Sequence, residues 1–216
     1  MRIVVVSDTH GQHEGLGVLE GDVLIHCGDF ERAFVREDDI LDRVDAWFAR
    51  QRFDLILCTG GNHDFALQAC VEAGRDPFRH ATLLQDNSVT YRGLSFHGSP
   101  WVPELSNFAY YADDADLRTA WAKIPQATDV LITHTPPAGV LDVSSRGLRL
   151  GCPHLAQRLQ DLRPRLHCFG HVHASAGQRT EGPLTYVNAS AVDSNFNLAN
   201  APHVFDLEPV AANHGE

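Results

Sequence analysis

Leu55-Ile56-Leu57-Cys58-Thr59-Gly60-Gly61-Asn62-His63-Asp64 is the stretch on which the reading of the fold turns. Its first four residues are an apolar run of the length of a buried strand. A glycine-rich turn comes next, ending in side chains able to bind metal or move protons. The same construction recurs along the chain. Ile3–Val6 leads into Ser7-Asp8-Thr9-His10-Gly11, and Val23–His26 into Cys27-Gly28-Asp29. Val130–Thr133 leads into His134-Thr135-Pro136-Pro137, and Leu166–Phe169 into Gly170-His171-Val172-His173. Five strand ends therefore carry Asp, His or Asn. Strand C-termini opening into tight loops are where mixed α/β folds gather ligands from distant parts of a chain.

Outward from these runs, shorter strands are predicted at Ser88–Tyr91, Leu94–His97, Leu184–Asn188 and His203–Asp206. Apolar spacing predicts a helix over 37–51, where Ile40, Val44 and Phe48 fall four apart and Leu41 and Trp47 widen the face. A second helix is predicted over Asp114–Lys123. A third, over Pro153–Leu162, has Pro153 in its first turn and Pro164 beyond its end. The class is α/β, with helices covering sheets. No repeat or linker interrupts it, so one domain is expected over 1–210, followed by a frayed tail at 211–216.

Composition narrows the function. The 216 residues carry a net charge of −11, and the basic residues form no stripe able to displace counterions. A nucleic-acid polymer is therefore not the expected partner. No apolar run approaches the roughly 18 residues of a membrane span, and Met1–Val6 is too short an apolar stretch for a signal peptide. The five cysteines are an odd number without a CxxC pair. They read as free thiols in a reducing, cytoplasmic setting rather than as a disulfide framework.

Asp8 and His10 are two residues apart, as are His171 and His173, so extended backbone would point each pair to one side. Gly28 before Asp29, and Gly60-Gly61 before Asn62-His63-Asp64, allow close backbone approach or unusual φ. Singly, each motif has an ordinary explanation: Asp-x-His as a turn, or Asn62-His63-Asp64 as the cap of a helix starting at Phe65. As five motifs in one order, coincidence is the weaker account.

In that order, Asp8-x-His10, Gly28-Asp29, Gly61-Asn62-His63-Asp64, His134 and Gly170-His171-x-His173 resemble the motifs of the calcineurin-like metallophosphoesterases. Leu84-Gln85-Asp86, Gly98–Pro103 and Tyr186–Ser190 further resemble the small metallophosphoesterase domain-containing phosphodiesterases. The resemblance implies a four-layer α/β/β/α sandwich with a two-metal site at the strand ends. It implies Asp8, His10 and His173 on one metal, Asn62, His134 and His171 on the other, and Asp29 bridging both. His63 would serve the leaving oxygen, with Asp64 orienting its ring. Oxygen and imidazole donors without thiolate suit Mn²⁺, Fe or Zn²⁺. Purple acid phosphatases in this superfamily place a metal-binding Tyr where this chain has Arg32, so a tyrosinate-ligated ferric site is not expected.

The implied activity is hydrolysis of small phosphodiesters such as cyclic nucleotides, by attack of a metal-bridging hydroxide. A diester, with one negative charge, suffers less from the global −11 than a dianionic monoester does. Two alternatives stand beside it: a phosphomonoesterase for nucleotides or phosphoproteins, and a weakly catalytic nucleotide-binding scaffold. For substrate contacts, Trp101 and Phe108 in the aromatic stretch 101–111 are candidates to stack a base over the site. Asn188 is a candidate contact or turn former. Among the remaining histidines, His13 and His97 are expected nearest the site.

Overall fold

A computed structural model describes residues 1–35 and 37–208; the tail expected at 211–216 lies outside the described residues. The first sheet begins with β1 (Arg2–Val6), β2 (Val23–His26), β3 (Leu55–Cys58) and β4 (Thr82–Leu83). The second uses β5 (Asn87–Tyr91), β6 (Leu94–Ser99), β7 (Val130–Thr133), β8 (Leu166–Phe169), β9 (Gly177–Glu181) and β10 (Leu184–Asn188). β11 (His203–Asp206) returns to the first sheet, antiparallel to β1 with Ile3 opposite Phe205. The strand orders are β11-β1-β2-β3-β4 and β5-β6-β7-β8-β10-β9. Neighbours from β1 to β4 and from β6 through β7 and β8 to β10 are parallel.

Alternation along each strand builds the layers. Ile3, Val5, Val23, Ile25 and Leu57 of the first sheet face Phe96, Val130, Ile132, Leu166, Cys168 and Val187 of the second, forming the central core. The intervening residues Val4, Val6, Leu24, Ile56 and Cys58 face outward, against α1 (Ile40–Phe48) and α2 (Phe65–Glu72). On the opposite outer face, Leu131, Phe169 and Tyr186 pack against α3 (Asp114–Ala122) and α4 (Pro153–Asp161). The result is an α/β/β/α sandwich. The central strands are mainly apolar, with His26, Thr133 and His167 as polar exceptions, because both of their faces are covered.

The helices start and stop for local reasons. Asp113 accepts the N–H groups of Ala115 and Asp116, both at 2.9 Å, and so caps α3. α4 has Pro153 in its first turn, as its sequence predicts. α1 is shorter than the predicted 37–51: residues 38–39 form a turn, and Arg50 and Gln51 make only i−3 bonds to Trp47 and Phe48. α2 begins at Phe65, the start allowed by the capping reading of Asn62-His63-Asp64, but the Asp64 side chain does not cap it. Glu31 does so from a distant loop, accepting the N–H groups of Ala66 at 2.6 Å and Leu67 at 3.2 Å. Among the described residues no helix is long and apolar enough to cross a membrane, and all five cysteines are free and buried.

Phe96 is fully buried between the sheets, whereas Val204 on the edge strand is 47% exposed. Phe96→Ala is expected to cost about 3–5 kcal/mol and Val204→Ala no more than about 0.5 kcal/mol. Urea unfolding of both variants, read as a shift in midpoint, checks the location of the core.

Candidate metal centre

The loops after the strands are not extended. Asp8, His10, Asp29 and His171 have φ of 50°, 43°, 59° and 69°. The Asp-x-His and His-x-His pairs are therefore brought round by left-handed turns rather than by alternation along a strand, which corrects the expectation drawn from spacing. Such backbone is costly for residues with a Cβ, and it concentrates at functional sites. The surroundings enforce it. Asp8 N–H donates to Gly28 O at 2.9 Å, His10 N–H to Asp29 O at 3.0 Å and Gly11 N–H to Phe30 O at 2.7 Å, so the loop after β1 is laced to the loop after β2. Gly28 has φ 96°, and a Cβ there would sit 2.6 Å from the carbonyl of Gly60. It provides both the close approach and the unusual φ anticipated for it.

Seven side chains from these loops converge. His10 Nε2 lies 3.3 Å from His173 Nε2, and His173 Nε2 lies 3.4 Å from Asp8 Oδ1. Asn62 Oδ1 lies 3.0 Å from His134 Nε2 and 2.8 Å from His171 Nδ1. Asp29 Oδ2 stands between the two groups, 3.7 Å from His10 Nε2 and 3.4 Å from His134 Nε2. Donor atoms of Asp8, His10 and His173 lie within 4.8 Å of one another, and so do those of Asp8, Asp29 and His134.

The donor chemistry fits metal ions. His10 Nδ1–H donates to Glu31 O at 2.9 Å and His134 Nδ1–H to Cys27 O at 2.8 Å. Each bond fixes the tautomer that leaves Nε2 facing the centre, the arrangement usual for ligating imidazoles. A Cβ on Gly61 would overlap Asp29 Oδ1 and approach His134 Cε1 to 2.6 Å, so glycine keeps the cradle open.

Electrostatics point the same way. Burial would raise the Asp8 carboxyl, but the His173 hydrogen bond and the charges of His173 and His134 hold it well below the usual range. Asp29 is depressed too, burial being outweighed by His134, with His63 and His10 adding to it. Reciprocally, and against burial, Asp29 raises His134 to about 9 and Asp8 raises His173. Burial, reinforced by the charge of His134, pushes His171 down to about 3. Two buried carboxylates thus draw protons onto neighbouring imidazoles. A metal cation would meet the same demand and displace those protons.

The other candidates divide. The His63 ring lies 5.1 Å from that of His10 and 5.4 Å from that of Phe108, and its backbone N–H donates to Asp29 Oδ1 at 2.8 Å. Burial lowers its pKa. Asp64 does not orient this ring. Its carboxylate instead accepts the backbone N–H groups of Asp29, Phe30, Glu31 and Gly61 at 2.7–3.1 Å. Trp101 is also displaced from the expected role: its Nε1–H donates to Asp86 Oδ1 at 2.9 Å, and its ring packs on Tyr110. Asn188 is fully buried and contacts no open space. Its amide donates to Val172 O at 2.9 Å, steadying the turn between His171 and His173, and its oxygen accepts from Ser190 N–H. His13 packs on Trp47, and His97 pairs with Ser88 Oγ at 2.8 Å; neither joins the centre.

Spacing gives no hint of two buried histidines that brace the loops. His26 Nδ1 accepts from Gly28 N–H at 3.2 Å, so its Nε2–H donates to Thr9 Oγ1 at 3.1 Å, between Asp8 and His10. In the second sheet the Thr133 hydroxyl donates to Thr135 O at 2.7 Å. His167 Nε2–H therefore donates to Thr133 Oγ1 at 2.9 Å, next to His134. Burial holds both rings near a pKa of about 3, and hence uncharged. The only sequence signal is a histidine within an otherwise apolar strand. Phe196 also escapes a reading by motif; it packs edge-on against His10 and His173 at 4.9 and 5.1 Å.

Comparison with known proteins agrees with this architecture. A solved structure with 15% sequence identity superposes with a TM-score of 0.64, covering 87% of this chain and 89% of that one. At that identity the likeness concerns the fold alone. Human metallophosphoesterase domain-containing protein 1 is 33% identical over 95% of this chain and 71% of its own length. The Caenorhabditis elegans UPF0046 protein K07C11.7 is 34% identical over 95% of this chain and 74% of its own length. Residues 1–175, which contain every residue of the centre, match the calcineurin-like phosphoesterase family. With the sandwich, the Asp/His groups and the match over most of its length in agreement, the chain belongs to the calcineurin-like phosphoesterases, a family of phosphoric ester hydrolases.

Proposed function

We propose that the protein is a two-metal phosphodiesterase acting on small diesters, cyclic nucleotides among them. The observation that carries this reading is Asp29 Oδ2, placed 3.7 Å from His10 Nε2 and 3.4 Å from His134 Nε2, where one carboxylate can serve two ions. Asp8, His10 and His173 would hold the first and Asn62, His134 and His171 the second. A donor set of carboxylate, imidazole and amide oxygen suits Mn²⁺, Fe or Zn²⁺. When bound, such a pair supplies Lewis acidity toward phosphate oxygens and a nucleophilic water at neutral pH.

The chain's own residues do the rest. Asp29 holds the His63 backbone, and the His63 ring projects beside Asn62 and His171 into a cavity of about 240 Å³. There its ring N–H can donate to the oxygen that leaves as water oxygen bonds to phosphorus. Among the described residues no Lys or Arg lines this cavity, so no described side chain there carries a fixed positive charge for the second charge of a monoester. This supports a diester over a monoester substrate. The free, buried cysteines support a cytoplasmic location.

With Mn²⁺ added, bis-p-nitrophenyl phosphate is expected to be turned over with kcat/KM at least about tenfold above that of p-nitrophenyl phosphate, a difference of about 1.4 kcal/mol in barrier. Parity, or preference for the monoester, would overturn the diesterase reading. Elemental analysis of active protein should find two metal equivalents, and one or none would rule out the shared-carboxylate arrangement. Chelation should abolish activity while leaving the far-ultraviolet dichroism intact, since the core is independent of the centre. His63→Ala should keep both metals and lose about 10²–10⁴ in turnover, most severely for alkyl leaving groups. Unchanged turnover with reduced metal content would refute that role for His63.

A further inference from the structure

The cavity beside the centre has walls that metal binding does not explain. Phe34 and Phe108 each stand edge-on to the His63 imidazole, with ring centroids 5.4 Å away. Phe34 is 83% exposed, so its ring is an uncovered aromatic surface at the cavity mouth. Glu104 lines the same cavity. Its carboxylate makes no hydrogen bond or ion pair with any described residue. A free carboxylate beside a phosphate site repels further phosphates and favours a group that presents N–H donors.

We infer that Phe34, Phe108 and Glu104 form a base subsite selective for guanine in the diester substrate, an inference that rests on the phosphodiesterase reading above. The rings supply stacking surface, which any base can use. The carboxylate supplies the discrimination. Guanine alone among the common bases carries two adjacent donors, its ring N1–H and exocyclic amino group, spaced for the two oxygens of one carboxylate. The corresponding edge of adenine puts a lone pair beside its amino group, and that lone pair would face the anion. Asn62 and His171 line this cavity as well, so a base held here lies next to the phosphate-binding centre.

The test uses the 2′,3′-cyclic phosphates of guanosine, inosine and adenosine, with bis-p-nitrophenyl phosphate as a substrate that has no base. kcat/KM for the guanosine compound should exceed that for adenosine by about tenfold to a hundredfold, the discrimination expected of a bidentate pair. Inosine, lacking the amino group, should fall between. Glu104→Gln should bring the guanosine-to-adenosine ratio to within about twofold. Phe34→Leu should lower all three rates by a common factor, because stacking is blind to the base. Calorimetric binding of the product 3′-nucleotides should give the same order without relying on turnover. A wild-type ratio within twofold, or a ratio unchanged by Glu104→Gln, overturns the guanine subsite while the diesterase reading stands. Loss of all diester turnover, bis-p-nitrophenyl phosphate included, overturns the parent reading instead.

Discussion

The carboxylate of Asp64 is fully buried, and it accepts four backbone N–H groups, from Asp29, Phe30, Glu31 and Gly61. It is the knot between the loop after β2 and the loop after β3. Burial and the neighbouring charges of Asp29 and Glu31 push this carboxyl up, while the donors on its two oxygens favour the charged form. Without it, four amides would be left unpaired in the interior, each at a cost of about 1–3 kcal/mol. The position of Asp29 between the two donor groups depends on this clamp, as does that of His63, whose backbone Asp29 holds. The start of α2 is fixed by the same loop, because Glu31 caps it.

Around that knot, polar bonds are arranged so that the donor atoms face one another. Backbone carbonyls of Glu31 and Cys27 take one nitrogen of His10 and of His134, and the other nitrogen of each points inward. The uncharged rings of His26 and His167 tie down the threonines beside the donors without adding charge of their own. Left-handed turns at Asp8, Asp29 and His171 carry strain of order 1–3 kcal/mol each. That strain persists because the laced loops leave no alternative path for the backbone.

Legibility in the sequence tracks the reach of each interaction. Strands at Ile3–Val6, Val23–His26 and Val130–Thr133 can be read because an apolar run is a local property. β9 cannot: Gln178, Arg179 and Thr180 form an exposed edge with no apolar alternation, and they are strand only because β10 pairs with them. Spacing does not fix the ends of α1, because the apolar positions that mark its buried face, Ile40 to Phe48, all lie within the helix and say nothing of where its hydrogen bonds stop. Asp64 and Asn188 read as site residues because they sit in the right motifs, yet their side chains are consumed by backbone N–H and C=O groups from other segments.

The sequence by itself determined the ordered set of Asp, His and Asn residues at strand ends and the α/β class, since residue identity and local periodicity suffice for these. Only the tertiary structure decided which donors share an oxygen and which carboxylate is buried as a clamp. It also decided which aromatic rings reach His63: Phe34 and Phe108 do, Trp101 does not. Those outcomes depend on contacts between segments tens to more than a hundred residues apart, such as Asp8 with His173 and Cys27 with His134. Such contacts are set by how the two sheets stack and how their loops hydrogen-bond, and no local pattern encodes that.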